Sequence, residues 1–381
     1  MTTPPDPDAT VSRRHTVAAR LSEVLWDRLT PSRRRAAEHP DGPVDLAVGT
    51  PVDSTPAVVR DALAGAADSP GYPTVAGTPG LRAAGADWLA RRGGVEGVDP
   101  DDVLPVIGTK ELIALLPMLL GIGPGDTVVI PELAYPTYEV GARLVGADVI
   151  ASDSLLALGP LRPALVWLNS PSNPTGRVLP PEHLAKVVAW AREHEALVVS
   201  DECYLECVWD GPPATSILDT AVRNDSLTGV LAVHSLSKRS NLAGYRCGFV
   251  TGDRDLVADL RLARRHLGLL PPGPQQAAAQ VAWDDDEHAV EQHHRYARRH
   301  ARLREAFEAA GFRIDHSQGA LYLWATRDEP CWDSVEWLAG RGIVVAPGDF
   351  YGPGGARHVR VAITETDERV EAAYARLTGS E

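Results

Sequence analysis

The stretches ALVWLNSPSNPTG (residues 164–176), LVVSDECY (197–204) and GVLAVHSLSK (229–238) decide how this 381-residue chain folds. Each opens with a short apolar, β-branched run and ends in polar side chains capable of chemistry. Helix-length segments separate them, and the alternation extends on both sides. From about Asp102 to Val250 the strand candidates are Val103–Ile107, Thr127–Ile130, Asp148–Ala151, Ala164–Leu168, Leu197–Val199, Gly229–Val233 and Gly248–Val250. Such runs, spaced by helices, predict βαβ units and a mostly parallel sheet, hence an α/β fold. In an open sheet of this kind ligands gather beyond the carboxyl ends of the strands, which is where these polar residues fall.

The flanks differ in texture. Residues 1–16 are rich in Pro, Asp and Thr and are expected to be disordered, with no apolar core of the signal-peptide kind. An amphipathic stretch, Leu21–Ala37, precedes the short apolar run Val44–Val48. Past Gly273 a long charged helix, Asp286–Ala310, is followed by alternating segments at Phe312–Ile314, Leu321–Ala325, Ile343–Val345 and Val359–Ile363, then a last helix over Asp367–Leu377. The expected organisation is an N-terminal arm and helix (1–43) packing with the small domain, a large domain (44–275) and a smaller α+β domain (276–381).

Composition narrows the function. A formal charge of −14, from 51 acidic and 37 basic residues, disfavours nucleic acid and anionic membrane as partners. No apolar run reaches the roughly 18 residues that span a bilayer, so a cytoplasmic location is expected. The four cysteines have neither disulfide nor zinc spacing, and no metal site is expected. Only Lys110, Lys186 and Lys238 are lysines, so any lysine chemistry has three possible seats.

Four segments place reactive groups after strands. Gly108-Thr109-Lys110 opens a helical run, where free backbone amides form a phosphate cradle; alone it reads as an ordinary turn. Asn173 precedes Pro174 and is biased toward extended geometry, though Asn, Pro and Gly also simply punctuate turns. Asp201, beyond a buried strand, needs a cationic or hydrogen-bonding partner, with a helix N-cap as the plainer reading, and Tyr204 would reach the same ligand. Lys238, flanked by Ser235 and Ser237 and followed by Arg246, is the strongest signal. Lysine in a setting of low polarity or neighbouring cations becomes nucleophilic toward carbonyls. Lys186 lies in a helical run and Lys110 at a helix start, so neither shares that context.

In this order, Asn-Pro-Thr-Gly at 173–176, Asp-x-x-Tyr at 201–204 and Ser-x-x-Lys at 235–238 followed by Arg246 between two glycines resemble the fold-type I pyridoxal-phosphate enzymes, and within them the class I/II aminotransferases. The resemblance implies pyridoxal 5′-phosphate as cofactor and Lys238 as its Schiff-base lysine and proton shuttle. It implies Asp201 beneath the pyridine nitrogen, Asn173 and Tyr204 on the ring's phenolic oxygen, and Tyr135 stacked on the ring. Phosphate binding would fall to Gly108, Thr109, Lys110, Ser235 and Arg246. Tyr72 would reach the neighbouring subunit's phosphate, which implies a homodimer with shared sites. Arg360 would clamp the substrate carboxylate, with Gly49 and Asn173 beside it; without the resemblance Arg360 reads as an edge-strand ion pair. The substrates implied are an amino acid and a 2-oxo acid.

A finer likeness, carried by residues 44–51, 131–138, 234–245 and 346–352, is to N-succinyldiaminopimelate aminotransferases of the high-GC bacterial type. It implies transamination between N-succinyl-LL-2,6-diaminopimelate and 2-oxoglutarate in lysine and diaminopimelate biosynthesis. Leu269–Pro274 carries no charge to meet a short dicarboxylate, and Arg264, Arg265 and His266 read as solvated helix charges. An aminotransferase for another amino acid and a carbon–sulfur β-lyase on the same fold remain open, as does a regulatory module without catalysis, although no basic helix-turn-helix segment precedes Val44.

Overall fold

The computed structural model describes Leu21 and residues 25–379; the disordered segment expected over residues 1–16 lies outside the described residues. Thirteen strands are formed among the described residues. They are β1 (Val44–Asp45), β2 (Leu104–Ile107), β3 (Thr127–Ile130), β4 (Asp148–Ala151), β5 (Leu165–Asn169), β6 (Leu197–Asp201), β7 (Val230–Ser235) and β8 (Cys247–Gly252), then β9 (Arg313–Asp315), β10 (Tyr322–Thr326), β11 (Ile343–Val344), β12 (Ala346–Pro347) and β13 (Val359–Ala362).

The large sheet runs β2-β8-β7-β6-β5-β3-β4. From β7 to β4 neighbours are parallel, while β8 lies antiparallel to both β7 and β2. The link from β7 to β8, Leu236–Arg246, is too short for a parallel crossover, so the chain turns back beside the strand it has just left. Helices cover both faces, which is why the central strands are apolar on both sides. In β5, Val166 and Leu168 join the core under the helix Pro181–Glu193, whereas Leu165 and Trp167 join the opposite core.

Three adjacent strands end further along than their apolar runs suggest. β6 extends to Asp201, paired with Val233, and β7 to Ser235, paired with Gly248. Ladder hydrogen bonding needs only backbone, so a polar residue can close a strand whose apolar run has stopped. Asn169, Asp201 and Ser235 thus end β5, β6 and β7 side by side.

The second body is the antiparallel sheet β12-β13-β10-β9, with β1 paired in parallel to β11. The helices Glu287–Ala309 and Asp367–Thr378 pack together upon it. Val44, Leu46 and Ala47 are fully buried in this core with Leu303, Phe307 and Val361. The expected break at 275/276 falls inside the helix Gly273–Asp284, which packs on Pro79–Arg92 and Ala57–Gly65 and buries Ala278, Ala282 and Trp283 in the large-sheet core. The change of core comes after that helix, at Asp285–Asp286.

The amphipathic stretch at the N-terminal end is also divided. A 3-10 turn, Leu25–Leu29, leads into the helix Thr30–Ala36, whose restart is set by Pro31 in its first turn. No described helix is long and apolar enough to cross a membrane.

Candidate active site

The strand ends position the site. Asn169 Nδ2 donates to the Asp201 carbonyl at 2.8 Å, and Asn169 Oδ1 accepts from the Asn173 amide at 2.6 Å, locking the 169–176 turn over the end of β6. Beyond β7, the Ser235 hydroxyl accepts from the Ser237 amide at 3.1 Å and caps the short helix Leu236–Arg239 that carries Lys238. The Lys238 ammonium reaches across to donate to the Gly49 carbonyl.

These groups surround one cavity of about 400 Å³. Gly49, Thr109, Lys110, Tyr135, Asn173, Asp201, Tyr204, Ser235, Lys238, Arg246 and Arg360 all line it. Gly108 stands next to it as the N-cap of the helix Thr109–Leu119. Tyr72 is not brought in: it is 99% exposed, on a loop outside the cavity. Among the described residues no cluster of His, Cys, Asp and Glu could hold a metal ion.

Two buried charges dominate the electrostatics. Asp201 accepts from the Tyr138 hydroxyl at 2.8 Å and the Cys203 amide at 3.2 Å, and has no ion pair among the described residues. Burial pushes its carboxyl above the ordinary value, and hydrogen bonds from Cys203 and Tyr138 offset this only partly. A cation seated against Asp201 would reverse that shift.

Arg360, 3% exposed, gives Nη1 to Asn173 Oδ1 and Nη2 to the Ala47 carbonyl, each at 2.7 Å. Its Nε is buried without a partner, and no carboxylate pairs with it among the described residues. The edge-strand ion pair that is the plainer reading of the sequence is therefore not formed. Instead the Tyr322 ring lies 3.9 Å from Cζ and the Tyr351 ring 4.8 Å. A buried guanidinium held by neutral groups is a prepared carboxylate receptor.

The anion cradle is equally specific. Gly108 has φ +71°, and a Cβ there would stand 2.3 Å from Arg246 Nη2. Only glycine lets the guanidinium lie against the start of Thr109–Leu119, whose first amides point outward. Arg246, itself at φ +57°, is held by Nη1 donating to the Ala243 carbonyl at 2.8 Å. Phosphate beside this arginine and helix start, a ring cation on Asp201 and a carbonyl carbon near Lys238 together fit pyridoxal phosphate.

Several functional residues escape the sequence reading. Tyr138, fully buried and stacked on Trp167 at 4.8 Å, supports Asp201; its signal was the Tyr135-x-x-Tyr138 spacing at the start of a helix. Tyr322 meets the Tyr204 hydroxyl at 3.0 Å and fills the space that a Gly49 side chain would take, its hydroxyl 2.5 Å from an added Cβ. Trp26 and Arg33, from the N-terminal end, also line the cavity. Arg264, expected to be solvated, is fully buried and forms a two-pronged pair with Glu111 at 2.9 and 3.1 Å, anchoring the cradle helix.

Glu202 lies next to Asp201 and faces away from the cavity. It accepts from Ser216 Oγ and the Ile217 amide, both at 2.7 Å, and burial pushes its carboxyl up to about 7. The raised value means that the folded state binds the extra proton, so this group's stabilisation is present below pH 4.5 and is lost as pH rises through about 7. Thermal melts of wild type and Glu202→Gln between pH 4.5 and 8 should show the wild type losing a few kcal/mol relative to the variant as pH rises. Parallel curves would contradict the assignment.

Likeness to known proteins agrees with this geometry. A protein of Mycobacterium tuberculosis named as a probable aminotransferase is 59% identical over 95% of this chain and 86% of its own length. The 4-dedimethylamino-4-oxo-anhydrotetracycline transaminase OxyQ of Streptomyces rimosus is 58% identical over 94% of this chain and 99% of its own. Among solved structures, one described as a probable N-succinyldiaminopimelate aminotransferase from Thermus thermophilus superposes with a TM-score of 0.83, at 27% identity, covering 94% of this chain and 100% of that one. With residues 41–377 matching the family model "Aminotransferase class I and II", the chain belongs to the class I and II aminotransferases, which use pyridoxal 5′-phosphate.

Proposed function

We propose that this enzyme transfers an amino group between N-succinyl-LL-2,6-diaminopimelate and 2-oxoglutarate, acting on amino and oxo acids through their α-carboxylate. The observation that carries the α-carboxylate reading is Arg360, a buried cation with no protein carboxylate, in the same cavity as Lys238. The likeness to the Thermus protein supports the diaminopimelate branch.

The bound cofactor supplies an electron sink that makes the substrate's Cα proton acidic. The chain's residues do the rest. Arg360 grips the carboxylate with two parallel N–H bonds and turns the Cα proton toward Lys238. Lys238 Nζ, in the same cavity, would take that proton and carry it back as the general acid. Asp201, a buried carboxylate, would hold a protonated ring nitrogen. Asn173 uses Oδ1 on Arg360, so its Nδ2 would be the group to donate to the phenolic oxygen alongside Tyr204. Tyr135 would cover the ring face, and Gly108, Thr109, Lys110, Ser235 and Arg246 would take the phosphate.

A second reading is favoured by OxyQ, whose name gives it a polycyclic ketone as acceptor. The test is a screen of holoenzyme with glutamate as donor against N-succinyl-2-amino-6-oxopimelate, other 2-oxo acids and polycyclic ketones. Preference for the succinylated oxo acid supports the proposal, and preference for a ring ketone without a carboxylate contradicts it. Release of pyruvate and ammonia without an acceptor would indicate the β-lyase.

The catalytic unit in this reading is a homodimer, with the exposed Tyr72 completing the partner's phosphate site. Mixed dimers of Tyr72→Phe and Lys238→Ala chains should contain one intact and one doubly damaged site. The doubly mutated chain paired with wild type should give two singly damaged sites. If Tyr72→Phe holds cofactor as wild type does and a monomer proves fully active, the shared site is excluded.

A further inference from the structure

We infer that Arg33 binds an anionic group of the substrate remote from its α-carbon, so that the favoured amino acids carry a distal carboxylate. This rests on the aminotransferase reading above and names a substrate class for it. Five cationic residues, Arg33, Lys110, Lys238, Arg246 and Arg360, line the cavity against one carboxylate, Asp201, in a chain whose net charge is −14. Arg246 and Lys110 belong to the phosphate end, Lys238 to the reacting carbon and Arg360 to the α-carboxylate. Arg33 is given no role by these, its one charged partner among the described residues being the half-exposed Asp45.

Its placement is built. The helix Thr30–Ala36 has three consecutive arginines: Arg34 and Arg35 are exposed, whereas Arg33 is half-buried toward the cavity. Arg33 Nε donates to Asp45 Oδ2 at 3.2 Å, while Asp45 Oδ1 accepts from the Ala47 amide at 2.9 Å. The Ala47 carbonyl in turn accepts from Arg360 at 2.7 Å. Both guanidinium groups are therefore fixed to one short segment, Asp45–Ala47, and stand roughly 7–12 Å apart, two extended residues plus a hydrogen bond at each end. Arg33 Nη1 and Nη2 make no hydrogen bond among the described residues, which leaves the edge that grips a carboxylate free. Trp26 lines the same wall, its ring 5.8 Å from Arg360 Cζ, and gives an apolar surface for the intervening carbon chain. One carbon chain carrying a carboxylate at each end can engage both arginines.

The test compares 2-aminopimelate with 2-aminoheptanoate, which has the same carbon chain and no distal carboxylate. Each is reacted with holoenzyme in single turnover, without acceptor, and the cofactor's visible band is followed. Calorimetry with unreactive pimelate and heptanoate gives binding alone. Wild type should favour the dicarboxylate in both assays. Arg33→Gln should weaken half-saturation by 2-aminopimelate, and binding of pimelate, about 10–100-fold, leaving the limiting rate and the monocarboxylates unchanged. Arg33→Lys should recover part of the loss. The Arg33–Asp45 pair is about 40% exposed on both sides, so the variants should fold. Equal effects on mono- and dicarboxylates, or no effect on either, would overturn the inference. If neither amino acid reacts while pimelate binding still depends on Arg33, the donor reading fails and the distal site stands.

Discussion

Lys238→Ala should lower the single-turnover rate of amino transfer by at least about 10²–10⁴-fold, the range for loss of a positioned acid–base group. Lys238→Arg should not restore it, because a guanidinium stays protonated and cannot accept the Cα proton. The effect should be chemical rather than structural. The Lys238 side chain is only half-buried, and its one hydrogen bond among the described residues goes to the Gly49 carbonyl, so melting should change little. The proposed phosphate cradle of Gly108, Thr109 and Arg246 is untouched, and cofactor should still be retained. Rapid-mixing measurement of the half-reaction checks this; a rate within tenfold of wild type would remove Lys238 from the chemistry.

Asp201→Asn should cost about two to four orders of magnitude in rate, because removing one member of a buried charge pair typically costs about 3–5 kcal/mol. The two hydrogen bonds fall on different carboxylate oxygens, so the amide oxygen can keep the one from the Cys203 amide while Nδ2 donates to a turned Tyr138 hydroxyl, and the side chain should stay in place. Stability should move the other way in cofactor-free protein. Burial raises the Asp201 carboxyl, so its folded form carries an unfavourable charge that grows as pH rises from the unfolded value of 3.8 through the raised folded one. Asn carries no such charge, and the variant without cofactor should melt no lower than wild type at pH 7. Near-normal turnover would reduce Asp201 to a structural cap; a large loss of apo stability would contradict its electrostatic role.

Much of this site was readable because its chemistry follows strand ends. The apolar runs located β3 and β4 to the residue and β5 to β7 to within two residues, and polar side chains after them located the cavity. What could not be read are features set by distant partners. Asp201 and Ser235 close strands rather than follow them because neighbouring backbone completes the ladder. The segment Ile343–Val345 reads as one strand, yet its chain leaves β1 after Val344 and joins β13 at Ala346. Arg264 looks solvated in a charged helix until Glu111, more than 150 residues earlier, is placed against it. Tyr322 and Arg33 reach the cavity only through the fold of the C-terminal body and the N-terminal helix, and no local pattern marks either.

The central claim is that Lys238 forms the covalent link to pyridoxal phosphate, and borohydride reduction of the purified holoenzyme followed by peptide mapping tests it most directly. With three lysines in the chain the outcome is unambiguous. The visible band should be lost, and the cofactor's mass should appear on the peptide containing Lys238 alone. Cofactor fixed to Lys110 or Lys186, or to no lysine, would contradict the account.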